Sequence, residues 1–158
     1  MGLMENVALV PTVFWRPSNY YSGGPWVSGP YHTPIDETTP NDSDFIYTTA
    51  TGNATVVLTG STPSSRNGAI LSVRVCSLNA SNTPTDPKSS SHKIQLQLGG
   101  TIYYEETINS EWTTVEIELT AVQAQALNLS NLLLRFRSTG QDNTHRTAVS
   151  WAQLGFIV

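Results

Sequence analysis

Four segments of the chain alternate apolar and polar residues, and this pattern limits the fold more than any other feature. An alternating run places its apolar side chains on one face of a β-strand and its polar side chains on the other. Short runs of this kind, separated by turn residues, predict an antiparallel sandwich or barrel rather than a parallel sheet with crossover helices. The four runs are residues 71–76, 93–98, 115–120 and 132–137.

Shorter apolar runs predict further strands, for a total of about eight. Gly99 and Gly100 lie between two runs and predict a tight hairpin, since glycine adopts positive φ without a steric penalty. In the last run the regular alternation of apolar and polar residues is interrupted between Trp151 and Leu154. This predicts a bulge or a strand end buried on both faces. These additional strands are expected at residues 45–49, 54–58, 102–106 and 148–156.

One short helix is expected at residues 120–127. Thr120 and Gln123 have the spacing of a capping box, in which both side chains bond free backbone N–H groups at a helix start. The residues that follow are good helix formers. The sequence therefore predicts an all-β protein with a single short helix.

Three segments lack a clear strand pattern. Residues 79–91 are polar and contain two prolines, which predicts an exposed loop. Residues 17–44 predict a second, long loop that is rich in aromatic residues. Residues 7–15 are apolar enough for a strand with Pro11 at an edge or bend, although residues 1–16 would equally serve as an N-terminal arm that pairs with a neighbouring subunit.

Composition limits the classes of function. The 158 residues suit a single domain over 1–158, and the net charge of −4 without any basic run argues against nucleic-acid binding. Cys76 is the single cysteine and is predicted to be a small residue within a strand. No apolar run approaches the roughly 18 residues of a membrane span. The N-terminus lacks the pattern of a signal peptide, so we expect synthesis in a cytoplasm.

A cluster of carboxylates precedes the strand expected at residues 45–49. Carboxylate oxygens are ligands that calcium prefers, but the spacing matches no defined calcium loop. Asp42 and Asp44 are also good turn residues that can bond their own backbone after Pro40. We therefore predict a turn fastened by side chains and no cofactor, with calcium as the less favoured alternative. The cluster consists of Asp36, Glu37, Asp42 and Asp44.

The sequence contains no recognisable set of catalytic residues, so we do not expect an enzyme. His32, His92 and His145 are dispersed and have no metal-ligand spacing. No G-x-S-x-G motif is present. Adjacent or alternate glutamates on strands, such as those at residues 105–106 and 116–118, are expected to be solvated rather than to act as a glycosidase pair.

The aromatic residues of the N-terminal third allow three interpretations. Their rings can stack on sugars, anchor a protein interface or be buried beneath the long loop. For a partner surface we expect residues 7–15 and 26–31 to supply the contacts. The candidate contact residues are Val7, Leu9, Val13, Trp15, Tyr21, Trp26 and Tyr31.

Several elements together resemble a jelly-roll module that is common in structural proteins of tailed bacteriophages. They occur in the same order as in that group and extend over most of the chain from residue 14 onward. They are the Arg16-Pro17 pair, the PIDETTPNDSDFIY segment at 34–47, the V-R-V strand at 73–75, the L-R-F strand at 134–136 and the closing strand with Trp151.

The resemblance implies a jelly-roll β-sandwich and a virion component located on the capsid surface. A small single domain is more similar to a capsid decoration (cement) protein than to a long fibre. The implied partners are the major capsid protein and further copies of this chain, which we expect to form a homotrimer. The alternative is a carbohydrate-binding module, or a receptor-binding tail or head fibre domain, that uses Trp26, Tyr21 or Tyr31 against a surface glycan.

Overall fold

The computed structural model describes residues 9–22, 24–27 and 35–158, without the side chains of 20–22. These residues form nine β-strands and one helix. In chain order they are β1 (Val13–Ser22), β2 (Ile46–Thr48), β3 (Gly52–Thr59), β4 (Ala69–Leu78), β5 (Lys93–Leu98), β6 (Thr101–Thr107), β7 (Thr113–Leu119), α1 (Ala121–Gln125), β8 (Leu132–Thr139) and β9 (Arg146–Phe156).

The strands form two antiparallel sheets that share β1. Sheet I has the order β6-β5-β8-β3-β1, and sheet II has the order β1-β9-β4-β7 with β2 also on β9. The first three residues of β1 pair with β9, and the residues from Arg16 onward pair with β3. The inward side chains of both sheets belong to one hydrophobic cluster. The protein is thus an antiparallel jelly-roll β-sandwich, as predicted.

The predicted alternation is confirmed in the core. In β5 and β8 the burial alternates residue by residue along the whole strand. The inward residues of β4, among them Leu71 and Val73, are fully buried. Burial of such side chains is the main favourable term in folding.

Local signals also predicted the turn and the cap. Gly99 and Gly100 join β5 to β6 with φ of 57° and 88°, where a side chain would be strained. The capping box of α1 is present, with Thr120 Oγ1 accepting from the Gln123 backbone and Gln123 Oε1 accepting from the Thr120 backbone. The helix covers fewer residues than the expected 120–127.

β9 contains a bulge at Ser150, one residue before the segment in which the sequence predicted an irregularity. Trp151 pairs with Arg74 and Val149 pairs with Val75, so Ser150 has no partner of its own on β4. Most of β9 is buried on both faces, because loops cover the outer face of sheet II. Of the two alternatives, burial on both faces is therefore present, whereas no bulge occurs between Trp151 and Leu154, where the pairing with β4 is regular.

The N-terminal strand differs from the prediction. β1 begins at Val13, whereas residues 9–12 are described without strand structure and residues 1–8 lie outside the described part. Pro17 to Ser22 were expected to belong to a long loop but continue β1. Pro11 packs against Gly155, where a Cβ would lie 2.5 Å from the proline Cβ. In the described residues no helix has the length and apolar character needed to cross a bilayer.

Candidate functional site

The carboxylate cluster lies in a segment that crosses the outer face of sheet II, here called the acidic loop (residues 35–45). Asp42 accepts two hydrogen bonds from Arg74, at 2.6 Å from Nε and 2.8 Å from Nη2. Ser150 Oγ donates to the same carboxylate at 2.9 Å. The Arg74 guanidinium holds the pKa of Asp42 below its usual value. This bidentate ion pair fastens the acidic loop to β4 and β9.

Sheet geometry explains why these partners meet. Arg74 alternates with the inward Val73 and Val75, so its side chain points away from the core. Trp151 is paired with Arg74 across the ladder and donates from Nε1 to the Glu37 carbonyl at 2.7 Å. Ile35 is fully buried at the start of the loop. The loop is therefore held by one apolar anchor, one indole hydrogen bond and one ion pair.

The predicted turn is present, but a different residue makes it. Asn41 Oδ1 accepts from the backbone N–H of Ser43 at 3.2 Å and from its hydroxyl at 2.6 Å. The Asp44 N–H donates to the Asn41 carbonyl at 3.1 Å. The prediction that Asp42 bonds its own backbone is wrong, because its carboxylate is directed to Arg74 and Ser150.

The pKa of Glu37 in the acidic loop is raised to about 7. Burial is the main cause, and the neighbouring Asp44 and Asp36 carboxylates add to it. Calcium would need several converging oxygens, yet both oxygens of Asp42 are bonded to Arg74. Within the described residues, no group of three or more His, Cys, Asp or Glu side chains is placed to hold a metal ion.

Two of the predicted contact residues are core residues. Trp26 is 1% exposed, donates from Nε1 to the Gly52 carbonyl at 3.1 Å and packs against Phe136. Trp15 is 4% exposed and donates to the Ser61 carbonyl at 2.8 Å. Their assignment to a partner surface is wrong, because each indole fills a gap between the sheets and bonds a carbonyl there.

The other predicted contact residues have mixed positions. Leu9 is 67% exposed, as a contact residue must be, whereas Val13 is partly buried against the core. Val7 and Tyr31 lie outside the described residues, and the side chain of Tyr21 does as well. Val10 and Phe14 lie within the expected range 7–15, although they were not among the individually named residues, and they are 65% and 38% exposed. Successive residues of a strand point to opposite faces, so a buried Trp15 implies that the neighbouring Phe14 faces the solvent.

The sequence reasoning missed a buried polar network between the sheets. The ring of His92 is fully buried, with Nδ1 accepting from the Lys88 N–H at 3.2 Å and Nε2 lying 2.8 Å from Thr147 Oγ1. Ser138 Oγ is 2.6 Å from that hydroxyl and donates to Gln141 Oε1 at 2.7 Å. Because Nδ1 accepts, Nε2 carries the proton of the neutral ring. Burial lowers the pKa of His92 to about 4.

Cys76 is buried on the outer side of sheet II with Leu78 and Ala148. Burial raises the pKa of its thiol to about 12, so the reactive thiolate is scarce near neutral pH. The prediction of a small strand residue is confirmed.

Comparisons with known proteins give no family assignment. No family model and no curated protein matches the chain. Among solved structures, the chain is similar to a CBM35 from Paenibacillus barcinonensis, with a TM-score of 0.47 and 11% identity. That alignment covers 87% of this chain and 95% of the CBM35.

Proposed function

We propose that the chain is a virion structural protein of the capsid decoration kind, which binds the capsid surface and stabilises junctions between subunits. The proposal starts from the resemblance to jelly-roll modules of tailed bacteriophages. The jelly-roll sandwich agrees with it, although that fold serves many functions.

One observation supports the proposal in addition to the fold. The sequence elements on which the resemblance rests contact one another. Arg74 of the V-R-V strand binds Asp42 of the acidic loop. Trp151 of the closing strand bonds Glu37 of the same loop. Elements that are distant in sequence thus form one physical unit, and this supports reading them as one module rather than as unrelated matches.

The proposed mechanism is mechanical and involves no covalent reaction. A protein that binds the assembled capsid stabilises it by mass action, because it binds the closed particle and not its dissociated subunits. The exposed apolar residues Leu9, Val10 and Phe14 form the contact surface in this proposal. Their burial against a subunit would contribute about 25 cal/mol per Å² of apolar area.

Particle binding tests the proposal. Purified protein is mixed with capsids that lack it, and co-sedimentation is compared for the wild type, Phe14→Asp and Ile102→Asp. Ile102 is a matched control, since it is 52% exposed and lies on β6, at the edge of sheet I away from β1. We expect the wild type and the control to bind and Phe14→Asp to bind weakly. Absence of wild-type binding, together with absence of the protein from virions, would refute the proposal.

The structure weakens the carbohydrate-binding alternative. Trp26, which was expected to stack on the sugar, is buried and cannot do so. A glycan array with the wild-type protein provides the contrasting measurement. Saturable binding to one sugar class, in the absence of capsid binding, would replace the decoration proposal with this alternative.

A further inference from the structure

The outer face of sheet I carries two guanidinium groups without an acidic partner. Arg135 and Arg137 alternate with the buried residues of β8 and therefore point outward. Arg135 donates to the side-chain amide of Gln97, and Arg137 donates to that of Asn53 at 3.3 Å. In the described part of the chain, neither arginine has a carboxylate within ion-pair distance. Neither positive charge is therefore neutralised by an ion pair within the described residues.

The opposite charge pattern occurs on sheet II. Glu116 and Glu118 are both exposed on β7, at the sheet edge, and alternate with the more buried Val115 and Ile117. They pair across the ladder with Ser72 and Ile70, which bring no positive charge. Among the described residues no cation forms an ion pair with either glutamate. This leaves two carboxylates free for an outside partner.

The two charge pairs have the same spacing. In each pair the residues are two positions apart on one strand, so their side chains are separated by about 7 Å. We propose that copies of this protein associate through a contact in which Arg135 and Arg137 of one copy pair with Glu116 and Glu118 of the next. Such a contact sets two guanidiniums opposite two carboxylates, and charge-assisted hydrogen bonds of this kind are stronger than neutral ones.

Direct pairing of strand edges between copies is less suited to association. The outer strand of sheet I is β6, which carries Glu105 and Glu106, and the outer strand of sheet II is β7 with its own two glutamates. Bringing β6 against β7 would place like charges side by side, a known device against edge pairing. Glu105 also accepts a hydrogen bond from Gln95 at 2.9 Å. The arginines of sheet I and the glutamates of β7 therefore form the better matched pair.

The proposed contact is heterologous, since each copy contributes a different surface, and it closes into a ring or continues as an open chain. It concerns the protein alone and does not depend on capsid binding. Its failure would leave the decoration proposal standing, and the reverse also holds.

The contact can be tested by reversing the charges of each pair and then mixing the two variants. Sedimentation velocity measures association of the full chain at low salt, about 0.02 M, where charges interact over roughly 20 Å, and at about 1 M, where the range is roughly 3 Å. We expect wild-type association at low salt and its loss at high salt. The variants Arg135→Glu/Arg137→Glu and Glu116→Arg/Glu118→Arg should each associate at least about tenfold more weakly.

Mixing the two variants gives the decisive measurement. One then has acidic residues at all four positions and the other has basic residues at all four, so the mixture should associate although neither does alone. The control Glu106→Arg reverses a charge on β6 at a position paired with the inward Ile94, away from the face that carries Arg135 and Arg137, and should retain association. A monomeric wild type at low salt, or a folded pair of variants whose mixture stays monomeric, would overturn the proposal. If the arginine variant fails to fold, retained association of the folded Glu116→Arg/Glu118→Arg variant would equally overturn it.

Discussion

His92 makes the stability of this protein depend on pH in a direction that can be derived from its site. The pKa of the ring is about 4 in the folded protein, against 6.5 for an exposed histidine. Between these values the unfolded chain binds more protons than the folded protein, so stability falls as the pH falls from 6.5 to 4. Above pH 6.5 the contribution is fully present, because the ring is neutral in both states.

The magnitude follows from the difference in pKa. Each pKa unit corresponds to 1.36 kcal/mol, so a difference of this size gives at most about 3.4 kcal/mol. The Asp142 carboxylate near the ring opposes the loss, while His145 and Lys88 add to it. We expect a loss of about 2 to 3 kcal/mol between pH 7 and pH 4, since the folded ring is only about half protonated at pH 4 and the full difference is reached at lower pH. Protonation would also remove the acceptor at Nδ1 that holds the Lys88 N–H.

Glu37 acts in the opposite direction. Its pKa is raised from 4.5 to about 7, so its contribution is present below pH 4.5 and is lost as the pH rises through 7. The two groups therefore partly cancel in the wild type. Because the Glu37 carboxyl is partly exposed, we expect its effect to be the smaller of the two.

Urea unfolding at several pH values between 7 and 4 separates the two effects. His92→Asn retains an acceptor for the Lys88 N–H but cannot titrate, so its stability should fall less than that of the wild type as the pH is lowered. Glu37→Gln removes the opposing group and should give a steeper fall than the wild type. Equal pH profiles for the wild type and His92→Asn would show that the ring is not held neutral, and the reasoning from its burial would be refuted.

Three further predictions concern stability and reactivity. A double-mutant cycle with Asp42→Asn and Arg74→Gln should give a coupling energy of about 1 kcal/mol, and a value near zero would contradict the anchoring role of the ion pair. Trp26→Ala should cost about 3 to 5 kcal/mol in urea unfolding, whereas a loss below about 1 kcal/mol would contradict its place in the core. Cys76 should react with a thiol reagent only at the rate of unfolding, and rapid labelling of the native protein would contradict its burial.

The strands, the hairpin and the helix cap were predictable because they depend on neighbouring residues. β1 was not, and its hydrogen bonds explain why. It pairs with β9 at its start and with β3 afterwards, and its register with β3 shifts between Pro17 and Asn19 and again between Tyr20 and Ser22. Each shift interrupts the alternation that identifies a strand. Proline is tolerated there because β1 from Arg16 onward pairs on one side only, with β3.

The partners within the candidate site could not be predicted, since they are joined only by folding. Asp42 and Arg74 are separated by 32 residues, and His92 and Thr147 by 55. One signal was nevertheless available for the polar network. Ser138 follows Leu134 and Phe136 at the inward parity of its strand, and a hydroxyl directed into the core needs a hydrogen-bond partner there. A search for polar residues at inward positions would have indicated a buried network.

The contacts among the elements of the resemblance also indicate where function should be sought. Asp42 and Arg74 bind each other, and Trp151 donates to the Glu37 carbonyl, so the polar groups of these residues maintain the fold and are not free to bind a partner. A surface that meets other molecules must then consist of groups that the fold leaves unused. Among the described residues such groups include the exposed apolar side chains of Leu9, Val10 and Phe14 and the charges on β7 and β8 that form no ion pair. Two modules that share all the fold-maintaining elements can therefore differ in partner, and substitutions on these surfaces should change binding while the free energy of unfolding stays nearly constant.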